Sequence, residues 1–85
     1  MMTAEAIKAL EELEFKEVGK ENLENLPSYL RFGRAYSHEN GVVTSVVDES
    51  KHIVITDKNG KYRDNFNYGS IPYETFVRAL ESCLR

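Results

Sequence analysis

Apolar residues recur at helical spacing at both ends of the chain and alternate with polar ones through its middle. Ala6, Ile7, Leu10 and Leu13 form one stripe, opposite Glu5, Lys8, Glu11 and Glu12, which predicts an amphipathic helix fading near Glu14. Thr3 is its expected cap, and Glu5 sits in the first turn, where the helix dipole favours a carboxylate. From Ser28 to Ser37 the pattern alternates: Leu30, Phe32 and Tyr36 share one face, and Tyr29, Arg31, Gly33 and Ala35 the other. A turn at His38-Glu39-Asn40-Gly41 leads to a second strand, Val42–Val47, and residues 48–50 turn the chain into a third, His52–Thr56. Lys58-Asn59-Gly60 then leads to a fourth, Lys61–Tyr68, with Tyr62, Phe66 and Tyr68 on one face and Arg63, Asn65 and Asn67 on the other. After Gly69, Ser70 is the expected cap of a last helix with Pro72 just inside it. Tyr73, Phe76, Val77, Leu80, Cys83 and Leu84 make its apolar face.

Short hairpin turns make successive strands neighbours, and two one-faced helices need a common surface. The sequence therefore predicts an α+β two-layer sandwich in one domain spanning residues 1–85. An antiparallel meander of three or four strands carries the N- and C-terminal helices on one face, in the order α-β-β-β-β-α. Phe15–Val18 is open to two readings, an added edge strand or a plain connection. The sheet face away from the helices is expected to be open.

Composition narrows the class. Hydrophobic residues at 41% and charged ones at 29% belong to a globular domain rather than a disordered one. No apolar run is long enough for a membrane span, and no basic start followed by an apolar core marks a signal peptide. The single cysteine, Cys83, rules out an internal disulfide, so a cytoplasmic location is expected. Charge is uneven: residues 1–25 hold seven acids against Lys8, Lys16 and Lys20, while residues 51–63 hold Lys51, Lys58, Lys61 and Arg63 against Asp57. The overall charge of −3 is far from the basic balance of a duplex-binding domain.

No catalytic, metal or nucleotide signature emerges. His38 and His52 lack the further convergent ligands that a metal requires. Cys83 lies on an apolar helix face and reads as a buried thiol. Asp57-Lys58-Asn59-Gly60 lacks the further oxygen ligands of a calcium loop. Gly69-Ser70 reads as an ordinary helix start, and Glu11, Glu12 and Glu14 as a solvated helix face. No cofactor and no metal are expected.

The leading expectation is a small non-enzymatic protein–protein interaction domain, adaptor or inhibitor-like, with a homodimer as one form of that partnership. Its binding surface is expected on the open sheet face, at Tyr29, Arg31, His52, Arg63, Asn65 and Asn67. Edge strands offer a second route, by strand addition. The alternative expectation is a single-stranded nucleic-acid-binding domain using aromatic and basic side chains of that face, Tyr29, Arg31, Lys51, Lys61 and Arg63. The order helix, three strands, helix is shared with double-stranded RNA-binding domains. Those begin their last helix with lysines, where this chain has Ser70-Ile71-Pro72-Tyr73-Glu74, so that assignment is not made. In size and acidic composition the chain is similar to short phage and mobile-element products, inhibitors among them, with no shared motif.

Overall fold

A computed structural model describes all 85 residues, Met1–Arg85. The chain forms α1 (Thr3–Glu12), β1 (Lys16–Glu17), α2 (Lys20–Leu23), a 3₁₀ turn (Ser28–Leu30), β2 (Arg34–Ser37), β3 (Val43–Val47), β4 (His52–Thr56), β5 (Tyr62–Asn67) and α3 (Tyr73–Leu84). The strands make one antiparallel sheet in the order β1-β2-β3-β4-β5. The α+β sandwich is as the pattern predicts, with one strand more, because Lys16 and Glu17 pair with Ser37 and Tyr36 and extend the edge.

All three β-hairpins from β2 to β5 use the same loop. The carbonyls of His38, Asp48 and Asp57 accept from the N–H groups of Gly41, Lys51 and Gly60, at 3.0, 3.3 and 3.1 Å. Those three donors all have positive φ, at 104°, 53° and 79°. A turn followed by a left-handed residue suits the twist of the flanking strands. Glycine fills that position without steric cost at two of the sites. Lys51 fills the third, and its ammonium bonds back to the Asp48 carbonyl and carboxylate at 2.8 and 3.1 Å.

This register puts Arg34, Val46, Ile53 and Phe66 in one cross-strand row, and Tyr36, Thr44, Ile55 and Asp64 in the next, both on the helix side. Val46, Ile53, Ile55 and Tyr36 meet Ala6, Ala9 and Leu10 of α1, Phe76, Leu80 and Cys83 of α3, and Phe15, Val42 and Tyr68 in one core. Phe76 is its centre, edge-on to Phe66 and Tyr68 at 6.0 and 5.9 Å between ring centroids. Burying such a ring is worth about 1.5–3 kcal/mol.

The helix boundaries differ from expectation for local reasons. Met2, not Thr3, is the cap of α1, and the Glu5 carboxylate accepts the Met2 N–H at 3.0 Å. Thr3 lies inside the helix, and its hydroxyl donates to Asp48 instead. Pro72, not Ser70, caps α3: its extended backbone (ψ 154°) leaves its carbonyl to accept from Phe76 at 3.1 Å, so the helix begins at Tyr73. At the far end of α1, Glu14 adopts φ 70°. Phe15 N–H reaches the Leu10 carbonyl at 2.9 Å and Glu14 N–H the Glu11 carbonyl at 3.0 Å. This is a Schellman ending, sealed by the buried contact partners Leu10 and Phe15.

The face away from the helices is not bare, which corrects the expectation of an open sheet. Ala35, Ser45, Val54 and Asn65 line up across it. Ala35 and Ser45 are buried, because the chain between β1 and β2 crosses beneath the sheet and presses Leu30 against β3. Leu30 is itself buried yet stands outside the main core. The Ser45 hydroxyl is fully enclosed there and has no hydrogen-bond partner. A register shift at Ile55–Thr56 sets Tyr62 opposite Thr56, so Tyr62 joins Asn65 on this face instead of sharing one with Phe66. No helix is long and apolar enough to cross a membrane.

Glu14 carries the strain of a left-handed residue with a side chain, a cost of roughly 1–2 kcal/mol that glycine avoids. Glu14→Gly should therefore raise the unfolding free energy by about 1 kcal/mol in urea titration. An unchanged or lower midpoint would show that this turn is not held in the left-handed conformation.

Candidate functional site

The main concavity lies beside α1 and follows from the shortness of β1. That strand pairs with Tyr36 and Ser37 of β2, and the Val18 N–H after it reaches the Ala35 carbonyl at 2.8 Å, which leaves Arg34 at the start of β2 without an outer backbone neighbour. A groove of about 780 Å³ opens there, walled by Thr3, Ala4 and Ile7 of α1, by Phe32, Gly33 and Arg34, and by Val46–Glu49 at the end of β3. Thr3, Ala4 and Ile7 lie on one side of the helix by its period. Gly33 shapes the opposite wall. A β-carbon at this residue would lie 2.1 Å from the Val46 carbonyl oxygen, so only glycine lets the chain run this close to β3. The bend at residues 31–33 breaks the alternation. Phe32, predicted to share the buried side with Leu30 and Tyr36, is instead 80% exposed at the rim.

Charges surround this apolar floor. Arg34 pairs with Glu17 at 3.3 Å across the surface and lies 6.0 Å over the ring of Tyr36. Hydrogen bonding to Glu17 holds the guanidinium above its ordinary pKa, with Glu11 contributing, and burial pushes the Tyr36 phenol up. Both partners of that ion pair are more than half exposed. Such a pair contributes about 0–1 kcal/mol and serves here to position Arg34. At the other end Asp48 accepts from the Thr3 hydroxyl and from Lys51, and Thr3 Oγ1 lies 2.8 Å from the Tyr68 hydroxyl. Thr3, then Lys51, hold the Asp48 carboxyl below the usual carboxylate range. This network ties the start of α1 to the β3–β4 turn. Glu49 beside it is exposed and makes no ion pair.

The six residues expected to bind a partner are only partly brought together. Tyr29 lies edge-on to Tyr62 with centroids 6.0 Å apart and donates to the Gly60 carbonyl at 3.3 Å. Asn65 donates to the Tyr62 hydroxyl. His52 sits opposite Asn67 at the other end of β4 and β5. Asn67 is engaged locally, donating to the Ser50 carbonyl at 3.3 Å and accepting from Gly69 N–H at 2.8 Å. These four follow one sheet face, whose centre is filled by Leu30. Arg63 lies in the irregularity of β5, unpaired with β4, and close enough to act electrostatically on Cys83 of α3. Arg31 is exposed in the bend next to Phe32.

Elsewhere the titratable side chains are dispersed. His38 packs edge-on against Phe15 at 5.2 Å. Cys83 is buried, which pushes its thiol pKa up and away from the reactive thiolate. No group of three or more histidine, cysteine, aspartate or glutamate side chains is gathered to hold a metal ion. What the groove offers chemically is an apolar seat with charged ends, suited to binding. No known protein family, no curated protein and no solved structure matches this chain.

The low pKa of Asp48 has a pH consequence. Its folded value lies below the unfolded one, so its contribution is complete above the unfolded pKa, about 4, and disappears as pH falls through the folded value. Asp57, lowered by the Lys61 backbone N–H and then that of Asn59, acts in the same direction. Asp48→Asn should flatten the loss of stability between about pH 4 and pH 2, measured by denaturant titration. An acid limb as steep as the wild type's would show that the Thr3–Asp48–Lys51 contacts do not persist in solution.

Proposed function

We propose that this chain is a non-enzymatic protein-interaction module, adaptor or inhibitor-like, that receives an apolar side chain of its partner in the groove beside α1. The exposure of Phe32 carries this reading. A phenylalanine kept in water forgoes about 1.5–3 kcal/mol of burial. Single exposed apolar residues are ordinary. Here, however, the ring stands at the rim of a groove lined also by the half-buried Ile7 and Val47. An aromatic anchor beside an apolar seat with polar ends is the usual anatomy of a protein-binding patch. The lone, unbridged cysteine suits the reducing cytoplasm.

Affinity capture from the native host, with wild type and variants side by side, tests the proposal. Phe32→Ser should leave stability within about 0.5 kcal/mol, because the ring packs on little. It should also abolish retention of a protein that the wild type holds. Tyr29→Ala and His52→Ala place the sheet face in the same assay. Retention lost with those two and kept with Phe32→Ser would move the interface to that face and overturn the groove.

A further inference from the structure

We propose that Asn59 is a site of covalent self-modification, where the chain converts its own asparagine to aspartate and isoaspartate. The proposal is independent of what the groove binds. In an Asn-Gly pair the following backbone nitrogen reaches the carboxamide with least hindrance, because glycine has no β-carbon. The Gly60 nitrogen, its proton lost to solvent base, bonds to Asn59 Cγ. The Cγ–Nδ2 bond breaks and ammonia leaves. Water then opens the cyclic imide, at Cγ to give aspartate or at the main-chain carbonyl carbon to give isoaspartate. The sum is amide plus water to acid plus ammonia, with no change of oxidation state. It adds one negative charge to the −3 of the chain.

Two Asn-Gly pairs occupy matched loops, and the fold separates them. Gly41 and Gly60 both have positive φ, and their N–H groups donate to the carbonyls of His38 and Asp57 at 3.0 and 3.1 Å. The carboxamides differ. Asn40 is half-buried, its Oδ1 accepts the Val42 N–H at 3.1 Å, and its Nδ2 donates to the Leu84 carbonyl at 3.2 Å. Asn59 is exposed and is held through its backbone N–H, which donates to Asp57 at 2.8 Å, while its carboxamide is free. The room differs as well. A β-carbon on Gly41 would lie 2.1 Å from the Lys58 carbonyl oxygen, whereas one on Gly60 meets nothing within 4 Å. Ring closure swings the carboxamide carbon onto the glycine nitrogen and tilts that peptide. At Asn40 the motion must first break two hydrogen bonds and then press on Lys58. Two net-favourable hydrogen bonds are enough to slow it about tenfold. The other four asparagines each precede leucine, phenylalanine or tyrosine, whose side chains crowd the attack.

Isoaspartate carries the main chain through the former side chain and so adds a methylene to the loop that joins β4 to β5. That displaces the Gly60 carbonyl, which accepts from the Tyr29 hydroxyl at 3.3 Å, and the change passes to the connection beneath the sheet.

The test ages folded protein in warm neutral buffer and maps it over time by proteolysis and mass spectrometry. Isoaspartate is counted by methyl transfer from S-adenosylmethionine with an isoaspartyl carboxyl methyltransferase. Asn59 should convert about tenfold faster than Asn40 in the folded protein, and the two rates should converge in urea-unfolded chain. Asn59→Gln should remove the acidic species seen on isoelectric focusing, because its longer side chain closes a ring more slowly. In the isolated isoaspartate form the amide shifts of Tyr29 and Asp57–Lys61 should move and that of Phe76 should not. Asn40 keeping pace with Asn59 in the folded protein would overturn the proposal. So would acidic species that persist in Asn59→Gln, or a folded Asn59 that stays intact while the unfolded chain converts. An isoaspartate form with Tyr29 unmoved would overturn the transmission to the connection.

Discussion

Strand register is the constraint on which the rest of this structure depends. Side chains alternate across a sheet, so a slip of one residue would send Val46, Ile53 and Ile55 to the wrong side and break the core. The chain fixes its register three times over with one device, a turn ending in a left-handed residue at Gly41, Lys51 and Gly60. Side-chain and packing contacts secure the same loops. The Asp57 carboxylate accepts the Asn59 and Lys61 N–H groups at 2.8 and 3.0 Å, and the Gly41 α-carbon packs so tightly on the Lys58 backbone that no side chain fits. Once the loops are set, one face presents an apolar layer to both helices, and Phe76 and Leu80 close over it.

Much of this was legible in the sequence, because it is written in local periodicity. The run from Tyr73 to Leu84 carries its helix in its own spacing, and Ile53 and Ile55 announce a buried strand wherever it sits. What escaped depends on partners distant along the chain. Phe32 fits an alternating strand perfectly well. It turns outward because Gly33 must pass the Val46 carbonyl, a contact no local pattern encodes, although the glycine itself was the available signal. The facing of Tyr62 depends on an irregularity in pairing with β4, and neither strand signals it alone. Leu30, expected on the same face as Tyr36, is buried under the opposite one, because the path of the connection beneath the sheet decides where it goes. Thr3 looks like a cap until Asp48, forty-five residues away, claims its hydroxyl.

The two sheet faces illustrate how a small domain divides its surface. With one layer of helices, an 85-residue chain leaves half of its sheet to be covered by a connection that holds only the short α2 and a 3₁₀ turn. The segment from Lys20 to Leu30 does this at the cost of enclosing the Ser45 hydroxyl without a partner. An unsatisfied group of this kind costs about 1–3 kcal/mol. The same connection is what shortens β1 and exposes the start of β2. The groove beside α1 and the cover beneath the sheet are therefore two outcomes of a single chain path.

The last strand has a consequence of its own. β5 forms the outer margin of the sheet, where unpaired main-chain groups would ordinarily template the addition of another chain. Here its pairing is kinked beside Thr56, Arg63 and Asp64 place opposite charges along it, and the Asn65 N–H is occupied by the Asp64 carboxylate at 2.8 Å. Ribbon-like stacking through this side is thereby discouraged. Crowded molecules can press together along β5 without knitting into a continuous fibre.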